Sequence, residues 1–113
     1  MRLRKLQQIA GLIRDRDLAV LGLASARKTR TESLLGALDT ARGTPDLDPV
    51  IANQIENRFG LWTTNRRISL NQQLARDTVQ WMAARTDAQM SFGRAEVLKK
   101  LEAELVRLPK SSA

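Results

Sequence analysis

The stretch Gly43-Thr44-Pro45-Asp46-Leu47-Asp48-Pro49 decides the fold. Strong helix breakers cluster nowhere else in the sequence, and long helical patterns run on either side of it. Gly43 follows a helical run and tolerates the left-handed conformation that ends a helix. Pro45 stands two residues later, where a helix cannot resume. Asp48 offers a side-chain oxygen to the free backbone N–H groups of a new helix start, and Pro49 fits the first turn, where its missing N–H costs nothing. Stop, short connection and start fall within seven residues, which sends the second helix back along the first. The prediction is an all-α fold: one long antiparallel two-helix coiled-coil hairpin. Its parts are a helix over 2–42, a turn over 43–48, a second, longer helix over 49–108 and a tail over 109–113.

At 113 residues the chain is a single domain. It has no cysteine, histidine or tyrosine, so it lacks disulfides, Cys-based metal sites and the commonest general base. The absence of cysteine favours a reducing compartment. The only aromatic residues are Phe59, Trp62, Trp81 and Phe92, which suits a thin seam rather than a broad core. Arg2, Arg4 and Lys5 resemble the basic start of a signal peptide. The apolar residues that follow are broken by Gln7, Gln8, Arg14 and Asp15, so neither a signal core nor a membrane span is expected. The net charge is +7, of which residues 1–42 contribute +5 and residues 49–108 contribute +3. A basic surface spread along both helices suits an acidic protein partner, with weak nucleic-acid contact as the alternative.

In the first helix Leu3, Leu6, Ala10, Ile13, Asp17, Val20, Ala24, Arg27, Thr31, Leu34, Leu38 and Ala41 follow one another at alternating steps of three and four, the spacing of a coiled-coil seam. Asp17, Arg27 and Thr31 are its polar exceptions; such residues lower stability and fix register. Gly11, Gly22 and Gly36 weaken the helix or admit a close backbone. In the second helix the apolar line runs Ile51, Ile55, Phe59, Trp62, Leu70, Leu74, Trp81, Ala84, Ala88, Phe92, Ala95, Leu98, Leu101 or Glu102, Leu105 and Leu108. Both tryptophans are read as seam residues. The run Gly60-Leu61-Trp62-Thr63-Thr64-Asn65 is poor in helix formers and marks a place to kink.

Folding about residue 45 pairs positions whose numbers add to roughly 90. Leu34 and Leu38 then face Ile51, Ile55 and Phe59; Glu32 comes near Arg58, and Arg14 near Asp77. On this pairing the second helix outruns the first after about residue 88 and projects alone for roughly 30 Å. That overhang carries Met90, Phe92, Leu98, Leu101 and Leu105 on an apolar side, and with Arg94 they form the candidate partner-binding set. A lone helix with an exposed apolar stripe seeks a protein partner or a second copy.

No catalytic, cofactor or metal motif is present. Asp15 and Asp17 point apart on a helix, Asp77 and Asp87 have no evident companions, and Gly93-Arg94 is a single glycine rather than a phosphate cradle. Arg66-Arg67 and Arg27-Lys28-Thr29-Arg30 lack interleaved aromatics, so a nucleic-acid module is the secondary reading. No enzymatic activity is expected.

The segments Ala88-Gln89-Met90-Ser91-Phe92-Gly93-Arg94-Ala95-Glu96-Val97-Leu98 and Leu70-Asn71-Gln72-Gln73-Leu74-Ala75, set in a small basic hairpin, resemble short alphaproteobacterial members of the FliJ/YscO family. These are stalk proteins of the flagellar and injectisome type III export ATPase. The resemblance implies a cytoplasmic stalk, peripheral at the inner membrane. It would sit in the pore of the hexameric export ATPase and link it to the export gate. It also implies that the turn points to the gate, which makes Leu47, Val50 and Ile51 candidate tip contacts.

Overall fold

The computed structural model describes residues 2–40 and 48–108. It is an all-α helical hairpin of two antiparallel helices, α1 (Arg2–Thr40, 39 residues) and α2 (Pro49–Arg107, 59 residues), the second longer than the first. The expected turn residues 43–47, the end of the first helix at 41–42 and the tail 109–113 lie outside the described residues.

The start of α2 is capped as its sequence requires. The Val50 N–H donates to Asp48 Oδ1 at 3.1 Å, and the Ala52 N–H donates to the Asp48 carbonyl at 2.8 Å. Asp48 is thus the N-cap, with Pro49 at the first helical position. The weak run 60–65 does not interrupt α2. Once a helix is nucleated, each added residue gains one hydrogen bond, so long flanks carry it through a few poor formers.

The hairpin divides into two compact units, residues 1–24 with 81–113 (unit 1) and residues 25–80 (unit 2). In unit 1, Ser91 donates a hydrogen bond to Asp17, and the residue numbers of this pair add to 108. In unit 2, Thr31 donates to Asp77, again a sum of 108, and Arg67 pairs with Asp39 at 2.5 Å, a sum of 106. The expected sum of 90 is therefore corrected by 18. The physical reason is the pair of seam carboxylates, Asp77 buried and Asp17 half-buried. At 108 each faces a hydroxyl, whereas at 90 Asp77 would face Ile13. The expected ion pairs change with the register: Arg14 pairs with its neighbour Asp15, and Glu32 with Lys28.

The corrected pairing moves the overhang to the other end of α2. Residues 89–107 lie beside the N-terminal half of α1, and the section without an α1 partner is residues 49–66. The seam shifts by one residue on alternate steps. Its α1 line runs Leu3, Gln7, Ala10, Arg14, Asp17, Leu21, Ala24, Lys28, Thr31, Leu35 and Leu38, all buried or half-buried. Leu6, Ile13, Val20 and Leu34, expected inside, are exposed. The α2 line runs Leu70, Leu74, Asp77, Trp81, Ala84, Ala88, Ser91, Ala95, Leu98 and Glu102. Trp81 keeps its place on the seam; Trp62 and Phe92 do not.

Two tests follow from this packing. The chain has no cysteine, so introduced pairs report register cleanly. Ala24→Cys with Ala84→Cys is expected to form a disulfide on mild oxidation, while Leu34→Cys with Glu56→Cys, the pair required by the shorter register, stays reduced. A Cβ at Gly22 or Gly36 would meet no atom within 4 Å. Gly36→Ala is accordingly expected to raise stability by about 1 kcal/mol, measured by urea unfolding.

Candidate protein-binding surfaces

Two hydroxyl–carboxylate pins tie α1 to α2 on the seam. In unit 2, Thr31 and Asp77 are 5% and 3% exposed. Thr31 Oγ1 lies 2.5 Å from Asp77 Oδ2 and 3.1 Å from the Arg27 carbonyl. Its single proton goes to the carboxylate, the shorter and charge-assisted bond. Gln73 donates to the other carboxylate oxygen at 2.8 Å, and Arg76 donates to Gln73 at 2.9 Å. The Thr31 hydroxyl, and after it Gln73, hold the Asp77 carboxyl below its ordinary range against the opposing cost of burial; Arg27 and Arg76 add their fields.

In unit 1, Asp17 accepts from Ser91 and pairs with Arg16 at 3.1 Å. The Ser91 hydroxyl is the main cause that lowers the Asp17 carboxyl; burial opposes it, and Arg16 and Arg94 assist. Both aspartates are thus occupied as structural acceptors. Among the described residues no group of three or more His, Cys, Asp or Glu could hold a metal ion. No described helix is long and apolar enough to cross a membrane.

Two apolar surfaces remain. The first is a groove in unit 1 between the N-terminal part of α1 and the C-terminal part of α2, with a volume of about 580 Å³. Leu6, Ile9, Ala10 and Ile13 form one wall, and Met90, Arg94, Val97 and Leu98 the other. Arg94 is the only charged group in its lining. Met90, Arg94 and Leu98 of the expected partner-binding set come together here. Phe92, Leu101 and Leu105 are exposed but do not line the groove.

The second surface is on the section of α2 that has no residue of α1 beside it. Ile51, Ile55, Phe59 and Trp62 recur at helical spacing along one side, all exposed, with Phe59 and Trp62 stacked at 5.9 Å between centroids. Ile51 belongs to this line and Val50 is exposed beside it; Leu47 lies outside the described residues. Sequence reasoning placed Leu6 and Ile13 in the seam and so missed them as groove residues. The signal that could have found them is the polar pairing: once Asp17 is matched to Ser91 and Asp77 to Thr31, the register is fixed.

Comparison of the chain with family models, with curated proteins and with solved structures gives no match.

The pins make stability depend on pH in acid. Each folded carboxyl binds its proton less readily than the unfolded group, whose ordinary value is 3.8. The stabilisation is fully present above that value and is lost as pH falls through the lower folded value. Thermal unfolding followed by circular dichroism is expected to show the melting temperature falling in this acid window. The fall should be shallower in Asp77→Asn, which also melts lower than the parent at neutral pH. A variant that tracks the parent at every pH would remove the pin from the account.

Proposed function

We propose that the chain is a non-enzymatic coiled-coil stalk or adaptor that binds a protein partner through its outer apolar faces. The observation that supports this most is the division of residues between inside and outside. The buried hydrophobic residues are Ala24, Leu38, Leu70, Ala84 and Ala88, while large side chains such as Ile9, Ile55, Trp62, Met90 and Val97 stand on the surface. Apolar faces of this kind mark sites of protein association. The net charge of +7 suits a partner of acidic character.

The proposed partner is the hexameric type III export ATPase together with the export gate. That identification rests on the resemblance of residues 70–75 and 88–98 to the FliJ/YscO stalks. In this role the stalk acts by binding alone, in a cytoplasmic setting at the inner-membrane periphery. The groove containing Met90, Arg94 and Leu98 is the proposed contact for the ATPase, and the start of α2 with Val50 and Ile51 that for the gate.

The test is co-purification of the intact chain with the export ATPase of its own host. Binding is expected to be retained by the parent and reduced by more than about tenfold in Met90→Asp combined with Val97→Asp, with helicity preserved. No binding by the parent overturns the ATPase assignment. Retrieval of nucleic acid instead, with affinity falling steeply as salt rises, points to the basic-module alternative.

A further inference from the structure

Unit 1 carries a second pair of residue lines outside the seam. On α1 the line runs Leu6, Ile9, Ile13 and Arg16, and on α2 it runs Met90, Arg94, Val97 and Leu101. Both advance in alternating steps of three and four, the spacing that meets a further helix. All eight side chains are exposed, and the two lines border the apolar groove. We propose that this groove seats one α-helix of a partner protein, apolar at heptad spacing and carrying a carboxylate where it passes Arg16 and Arg94. The proposal rests on the reading of the chain as a binder of protein partners, and not on which partner it binds.

The spacing selects a helix. A period of 3.5 on both walls matches the knobs of a helix laid along them, whereas a strand repeats every two residues and falls out of step. Each line is roughly 15 Å long, which a partner helix covers in about three turns. A third helix laid between two antiparallel ones covers the apolar side chains that the pair leaves in water.

The charge selects an acidic helix. The polar positions of the two lines are Arg16 and Arg94. Arg16 pairs with Asp17 at 3.1 Å, and the field of Arg94 reaches the same carboxylate. Among the described residues no hydrogen bond or ion pair involves Arg94. Two guanidinium groups therefore share one aspartate, which also accepts from Ser91. One carboxylate from the partner balances this spot. The next steps of the α2 line in either direction are Asp87 and Glu104, so the basic stretch is bounded by acids and fixes where that carboxylate sits. Unit 1 as a whole holds eleven basic and six acidic residues, a net +5, which draws in an acidic helix. A second copy does not supply this chemistry. Its own groove brings the same two arginines, and its line of Ile51, Ile55, Phe59 and Trp62 has Arg66 on the same face.

Two three-heptad peptides serve as probes, with leucine at the apolar positions and either glutamate or lysine at the flanking ones; like charges keep each from pairing with itself. Fluorescence anisotropy of the labelled peptides with the full chain is expected to show the glutamate peptide binding more than about tenfold more tightly than the lysine peptide. The preference should shrink as salt rises. Val97→Asp should weaken binding of the glutamate peptide by more than about tenfold, whereas Val79→Asp in unit 2 should leave it unchanged. The two positions are 56% and 67% exposed, so both variants should keep the parent's helicity by circular dichroism. Arg94→Gln should narrow the preference for glutamate over lysine. Equal affinity for the two peptides, or no binding of either, overturns the proposal. So does binding of the glutamate peptide that survives Val97→Asp. A parent that sediments as a dimer broken by Val97→Asp shows a second copy in the groove and rejects the foreign helix. Failure to co-purify the export ATPase leaves peptide binding standing. A chain that retrieves the ATPase but ignores the glutamate peptide keeps that assignment and loses this one.

Discussion

A carboxylate carried into a helix seam has to find a donor there, and in this chain two such carboxylates share one solution. Asp17 meets Ser91 and Asp77 meets Thr31, with the carboxylate on α1 in the first pair and on α2 in the second. Leaving Asp77 without a donor would bury a poorly paired charge, and leaving Asp17 without one would strand a half-buried carboxylate on Arg16 alone. The sum of 108 follows from these two bonds. Other features of the hairpin take their place from that number: which section of α2 runs beside α1, which lies beyond it, and where the groove lies.

The same constraint explains why so much apolar surface faces outward. With Asp17, Thr31, Asp77 and Ser91 on the seam, Ala10, Ala24, Ala84 and Ala88 are its small positions, among larger ones such as Leu21, Leu38, Leu70, Leu74 and Trp81. Small residues allow the two backbones to approach but bury little area. The bulkier side chains of Leu6, Ile9 and Ile13 flank the seam instead of filling it, and with Met90 and Val97 they line the groove. In a hairpin built this way polar pairing sets the register, and large apolar groups stand both on the seam and on the surface.

The elements were legible from the sequence. Asp48 and Pro49 open α2 as their sequence requires, and the Asp48 cap is formed with Val50 and Ala52. The heptad line through Leu3, Ala10, Asp17, Ala24, Thr31 and Leu38 is also found inside. Register was not legible by apolar spacing, because steps of three and of four from this line both yield plausible partners: Leu6 or Gln7, Ile13 or Arg14, Leu34 or Leu35. Assuming the shortest connection then fixed the wrong pairing. Loop closure is a weak constraint, growing only with the logarithm of loop length, and it yields to buried charge. Asp77 seemed to have no companion in the sequence because its companion is 46 residues away. The candidate site followed the same error. Met90, Arg94 and Leu98 do meet, but in a groove shared with α1 rather than on a free helix end.

The paired aspartates also give the hairpin a mechanical character. Displacing α1 along α2 by one heptad in one direction would set Asp17 against Ala84 and Asp77 against Ala24. In the other direction the two would meet Leu98 and Leu38. Within its own unit, either shift strips the hydroxyl from the carboxylate. Each pin therefore opposes sliding of the two helices past one another within its own unit.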